Sequence, residues 1–212
     1  MAVGDVNSSA RGSGARYNDG KPDLSLIPLT IVAASFPAAG TVGASLNLLG
    51  LFQASGNGDR LQEALWEVNG HWRDAARVFE YGKKKYAAWN WAKGMAWSIP
   101  LACAARHALA ILEGEETDPE SGLPHIGHYM ANLVMLAHFV RWFPEGNDLP
   151  PPELFREAGP VFSRHSPEGF EEVLNPALVQ ERARDFVNGV LGKPSAPWPA
   201  SAYFPPYTNP ES

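Results

Sequence analysis

An all-α fold, a small antiparallel helical bundle with an irregular proline-rich C-terminal extension, is what this 212-residue sequence predicts. Apolar residues recur at three- and four-residue steps through the middle of the chain, with no convincing β alternation between them. The connections between these periodic stretches are short, as antiparallel neighbours require. Beyond Trp142 the character changes: 13 of the 19 prolines fall between Pro144 and Ser212, and a bundle cannot continue through that density of helix breakers. Hydrophobic residues make up 45% and charged residues 19%, enough for one core with peripheral segments. No internal repeat is present.

Residues 1–14 read as a flexible lead-in without the cationic start and apolar core of a secretion signal. A helical domain is expected over 15–142. It is interrupted at about 29–60 by an insertion, and from Leu24 to Gly58 there is no charged residue or histidine. Pro28, Pro37, Gly40, Gly43 and Asn47 break that run, so it predicts a short buried or subunit-contacting helix at about 40–52 instead of a membrane span. SGNG at 55–58 is turn chemistry. From Asp59 to about Ala87, Leu61, Leu65, Val68, Trp72, Phe79 and Lys83 mark a helical stripe, with Gly70 as the point where it divides in two. The aromatic loop AAWNWAKGMAW follows, then an apolar helix at about 98–112 ended by Gly114, then a third at about 124–142. The extension at 143–212 predicts one amphipathic helix at about 176–191 and an extended Pro-aromatic arm.

The net charge of −6 argues against a nucleic-acid polymer as partner, since tracking phosphates calls for a basic excess. A single cysteine, Cys103, excludes an intramolecular disulfide and a cysteine-based zinc knuckle. It fits a reducing, cytoplasmic setting, and its apolar neighbours predict a buried thiol.

Chemistry concentrates between Arg106 and Asn132. His125, His128 and Asn132 stand at i, i+3 and i+7, on one face of a helix beginning near Pro124. Glu115, Glu116, Asp118 and Glu120 lie in the turn before it, close enough to converge on those histidines and hold a divalent ion. Two readings stay open for the histidines: polar groups satisfied in a first helical turn, or ligands. Arg106 and His107 sit in an apolar helix, where unpaired charge is costly, so they require partners. Glu113 and Glu120 read as surface or capping groups. The lysines of GKKKY at 82–86 either complement a helix C-terminus or bind phosphate; Asn90, Trp91 and Lys93 would add amide, stacking and charge to the same pocket. His71, His138 and His165 have no such company.

Three stretches, ARYNDGKPDLSLIP at 15–28, ARVFEYGKKKYAAWNWAKG at 76–94 and RHALAILEGEETDPESGLPHIGHYMANLVML at 106–136, about 64 residues together, resemble a phage-associated family. That family is the N-terminal domain of dATP/dGTP diphosphohydrolase, distantly similar to the MazG-like nucleotide pyrophosphohydrolases. The resemblance implies an all-helical nucleotide-handling protein, in the host cytoplasm if phage-encoded. In the wider superfamily, paired ExxE and ExxD helices hold Mg2+ against a nucleoside triphosphate. Here His125 and His128 take the spacing of the ExxD pair, with Glu113/Glu116 or Glu115/Asp118 as the other. The departure is imidazole in place of carboxylate, and no second MazG-like domain is evident.

The expectation is therefore a metal-dependent hydrolase that converts a purine deoxynucleoside triphosphate to the monophosphate and pyrophosphate. Mg2+ or Mn2+ would be held by Glu115, Glu116, Asp118, His125 and His128. Glu115, Glu116 and His107 would carry catalysis, while Lys21, Lys84, Lys85, Asn90, Trp91, Arg106 and Asn132 would bind substrate. No membrane is involved, and a homo-oligomer is expected because three helices often complete a core by association. A non-catalytic nucleotide-binding module and a structural, oligomer-forming phage protein are the alternatives.

Overall fold

The computed structural model describes residues 2–36 and 40–155; the helix expected at 176–191, the Pro-aromatic arm and His165 lie outside the described residues. Six α-helices follow in order: α1 (Leu29–Ala34), α2 (Gly40–Ser55), α3 (Gly58–Glu67), α4 (Trp72–Tyr86), α5 (Ser98–Leu112) and α6 (His125–Trp142). Two two-residue strands, β1 (Ala2–Val3) and β2 (Arg16–Tyr17), pair antiparallel with Ala2 opposite Tyr17. The all-α reading stands.

The central helix is α6, apolar around most of its circumference. Tyr129, Met130, Leu133, Leu136 and Phe139 are wholly buried, as a helix surrounded by others requires. It packs against α3, α4 and α5. At one end of α5, Trp97 Nε1 donates to Phe143 O at 3.0 Å; at the other, His107 meets His125, so α5 and α6 run antiparallel. The expected division at Gly70 is a 3₁₀ turn over Asn69–His71 between α3 and α4. Gly127 is the tight point between α4 and α6: a Cβ there would meet Asp74 carbonyl atoms at 2.8 Å.

The uncharged segment is longer in helix than expected and is integral to the core. Leu29, Leu46, Leu49 and Phe52 are fully buried, each worth about 1.5–3 kcal/mol of burial. Three hydrogen bonds from the buried Gln53 side chain fasten the approach to α1: it accepts from Leu29 N (2.9 Å) and donates to Ser25 O (2.9 Å) and Ile27 O (3.0 Å). Ser45 Oγ bonds both Ala64 O and the Tyr129 hydroxyl at 2.8 Å, joining α2, α3 and α6. No helix among the described residues is long and apolar enough to cross a membrane.

Residues 4–14, expected to be a lead-in, are tied to the rest of the unit. Gly12 N and Gly14 N donate to Lys93 O (2.6 Å) and Gly94 O (2.9 Å), and Arg11 pairs with Glu145. Gly14 approaches so closely that a Cβ would lie 2.6 Å from Gly94 O. This contact leads the chain into β2, whose two residues line the cavity described next.

Candidate functional site

A cavity of about 690 Å³ lies between the end of α4, the 3₁₀ turn over Asn90–Lys93, the segment around β2, and the facing ends of α5 and α6. Its two walls differ in chemistry.

The first wall is built by α5, the loop after it and the start of α6. The loop is held by its own hydrogen bonds. Asp118 N donates to Leu123 O at 2.9 Å, His125 N to Glu116 O at 2.9 Å, and Thr117 bridges Pro124. Asp118 Oδ2 accepts from Ser121 N (3.0 Å) and Ser121 Oγ (2.7 Å). The same Ser121 Oγ lies 2.7 Å from His128 Nε2. A carboxylate only accepts, so the serine proton points to Asp118, and His128 Nε2–H donates to the serine oxygen. His128 Nδ1 then carries the lone pair.

His107 Nδ1 sits 2.8 Å from His125 Nδ1, and the His107 ring stacks on His128 with centroids 4.6 Å apart. Burial, reinforced by His128, His125, Arg16 and Arg106, pushes His107 down to about 2. Burial likewise lowers His128, against the opposing pull of Asp118. Although Asp118 Oδ2 and His128 Nε2 are 3.6 Å apart, a neutral imidazole there makes this a hydrogen-bonded relay through Ser121 and not an ion pair. Only 4% of His125 is exposed, yet its Nε2 makes no hydrogen bond. Glu115 Oε2 is 3.4 Å from that atom, near but misaligned.

The second wall is cationic and aromatic. Lys83 and Lys85 at the end of α4, Trp89 and Trp91 after it, and Arg16, Tyr17 and Lys21 from the N-terminal segment line it. Glu120 ties the segments together, accepting from Lys21 Nζ (2.6 Å) and Lys85 Nζ (2.8 Å), bonds that hold its carboxyl down at about 2. Arg106 donates to Pro22 O at 2.7 Å and Asn18 Oδ1 at 3.0 Å. Trp89 is 73% exposed, in a left-handed conformation (φ 59°), and its ring lies 5.9 Å from that of Trp91.

Of the residues the sequence singles out, His107, Asp118 and His125 bring ligand atoms within 4.8 Å of one another. His128 is the neighbour of this trio. Lys21, Lys85, Asn90, Trp91 and Arg106 also line the cavity. Glu115, Glu116, Lys84 and Asn132 are not among the lining residues. Glu116 presents its backbone carbonyl to His125 N and is exposed. Asn132 is buried below the site, accepting from Arg16 at 3.0 Å and donating to His128 O at 2.7 Å. Asn90 is 2% exposed and donates to Ala15 O at 3.1 Å, bracing the N-terminal segment. His138, read as incidental, packs edge-on against Trp91 at 5.1 Å.

Arg16, Tyr17, Trp89 and Ser121 are not among the residues the sequence singles out, and Lys83 stands there only as one of the GKKKY lysines. Arg16 and Tyr17 stand in the quoted ARYNDGKP stretch, but nothing local reveals a partner more than a hundred residues away. Ser121 was visible only as part of a turn.

The donor set suits a divalent ion: two imidazoles, of which burial holds His107 neutral, one carboxylate, and a buried His125 nitrogen lacking a hydrogen bond. No curated protein and no solved structure matches the chain. Residues 61–148 match the family described as dATP/dGTP diphosphohydrolase, N-terminal. The 76–94 and 106–136 stretches, with both histidine turns and the lysines of α4, fall inside that match; the 15–28 stretch falls outside it.

Proposed function

We propose, on the premise of that family match, that the cavity binds a purine deoxynucleoside triphosphate and hydrolyses it to the monophosphate and pyrophosphate. The observation that carries this reading is the opposition, across one cavity, of a His–Asp group to a wall of lysines and indoles. Phosphates call for the first kind of partner and the second; a base calls for the indoles.

His107, Asp118 and His125 would hold the divalent ion. Bound there, it supplies Lewis-acid polarisation of a phosphoryl oxygen and a more acidic water. The chain's own groups do the rest. Lys83, Lys85, Lys21 and Arg106 neutralise the polyphosphate, and Trp89 stacks on the base, its exposed face open to a planar ring. His128 takes up a proton: its ring is neutral at physiological pH, and Ser121 and Asp118 orient it through Nε2. Glu115 and Glu116, outside the cavity lining, take no direct part.

Pyrophosphate release from each dNTP, with Mg2+, Mn2+ or Co2+ at enzyme excess, tests this. Release from dATP or dGTP is expected; none from any nucleotide with any ion would sink it. A second reading, binding without turnover, is favoured by the single carboxylate in the ligand group, where the resemblance implies paired acidic helices. Thermal stabilisation by dGTP with the nucleotide recovered intact would support that instead.

A further inference from the structure

We infer that the His107–Asp118–His125 group is built for a borderline transition-metal ion of the Mn, Fe, Co, Ni or Zn class in preference to Mg2+, with Glu115 as the residue that orients His125. The inference deepens the nucleotide reading above, since it names the ion class of the same site.

Donor chemistry is the first argument. Two of the three groups are imidazoles, which suit Zn, Fe, Ni and Cu, whereas Mg2+ takes oxygen ligands and sheds its waters reluctantly. The paired nitrogens are the second. His107 Nδ1 and His125 Nδ1 face each other at 2.8 Å, so one ring donates its N–H to the other's lone pair, and a shift of that proton to Nε2 of its own ring would turn both nitrogens toward an ion. Asp118 is poised similarly. Its Oδ2 is engaged by the Ser121 amide and hydroxyl, and no hydrogen bond among the described residues occupies Oδ1.

The same arrangement accounts for the one oddity of the wall. When His125 gives Nδ1 to an ion, its proton resides on Nε2, the buried atom that otherwise has no hydrogen bond. That atom lies 3.4 Å from Glu115 Oε2, so a small rotation of an exposed glutamate completes a carboxylate–imidazole–metal arrangement. Such partners raise ligand basicity and fix the ring. Glu115, absent from the cavity lining, thereby acquires a positioning role.

The test is metal binding by the chelator-stripped full-length protein, read by calorimetry and by the visible spectrum of Co2+. Expected are one equivalent of Co2+ bound more tightly than Mg2+, with absorption bands of nitrogen coordination. H107Q and H125Q should abolish those bands, and E115Q should weaken Co2+ binding by ~10 to 100-fold while leaving the bands in place. Should the histidine variants fail to fold, imidazole nitrogen couplings in the pulsed EPR spectrum of the Mn2+-loaded wild type carry the same information. Mg2+ binding as tight as Co2+, or Mn2+ without imidazole couplings, would overturn the inference and leave hydrolysis standing. Imidazole-bound Co2+ without pyrophosphate release would support the inference and remove the hydrolytic reading.

Discussion

The two walls of the cavity place polar groups before the same space in opposite ways. On the α5–α6 side the polar groups are buried or half-buried and bonded to one another, with His125 and His128 only 4% and 7% exposed. On the α4 side the groups are charged and exposed, and they are tied by ion pairs to Glu120. Exposed pairs of that kind are worth about 0–1 kcal/mol, so exchanging Glu120 for another acceptor costs little. The histidine wall cannot be rearranged without leaving buried polar atoms unpaired, at about 1–3 kcal/mol each. Rigid chemistry faces adaptable binding.

If that contrast is right, the largest effect belongs to the rigid wall. Asp118→Ala removes a ligand and the anchor of the Ser121–His128 relay, and pyrophosphate release should fall to background, measured with dGTP and Mn2+. Trp89→Ala is the matching blow to the other wall. It should weaken dGTP binding by about 1–3 kcal/mol, the range for loss of a stacked base, in calorimetry that leaves Co2+ binding untouched. Gly127→Ala should destabilise the fold by about 1–3 kcal/mol through overpacking against Asp74, read by urea denaturation.

Acid separates the walls without mutation. His107 is neutral in both states above pH 6.5 and costs nothing there; below 6.5 the unfolded chain binds a proton that the folded chain refuses until about 2. Stability of the metal-free protein therefore falls on acidification from 6.5, by up to ~1.4 kcal/mol per pH unit for such a group. Glu120, at 4.5 when unfolded and about 2 when folded, contributes fully above 4.5 and loses its contribution only as pH falls from there toward 2. Denaturation curves across this range should show the histidine phase first; a decline confined to below 4.5 would break the assignment. The smallest effect is expected from Glu120→Gln, which frees two lysines: pyrophosphate affinity should rise by less than about 1 kcal/mol.

Much of this was legible one element at a time. Apolar spacing located α5 and α6, because a helix that must bury one face writes its period into the sequence. The histidine turn was legible for the same reason. What spacing does not encode is which bond a side chain makes. Asn132 shares the face of His125 two turns on, but its amide is engaged by Arg16 and the His128 carbonyl and does not line the cavity, although Val134 and Met135 beyond it do. Nor does it encode loop geometry: Asp118 and Glu116 are equally acidic neighbours of the histidines, and only the hydrogen-bonded turn at 118–123 decides that Asp118 faces inward. Lys84 falls between two lining lysines that stand about 200° apart around the helix, so helical phase alone does not single it out. Arg16 and Tyr17 come from far away in sequence, where local pattern is silent.

The placement of α2 carries one more consequence. The family match opens at Leu61, whereas Leu46, Leu49 and Phe52, the Gln53 fasteners and the Ser45 link to Tyr129 all precede it. A fragment trimmed to the matched stretch would uncover the faces of α3 and α5 on which α2 packs and leave the buried Tyr129 hydroxyl without its Ser45 bond. The border that identifies the domain is thus not the border at which it can live alone. The histidine wall is backed, through α5, by a segment that lines none of the cavity.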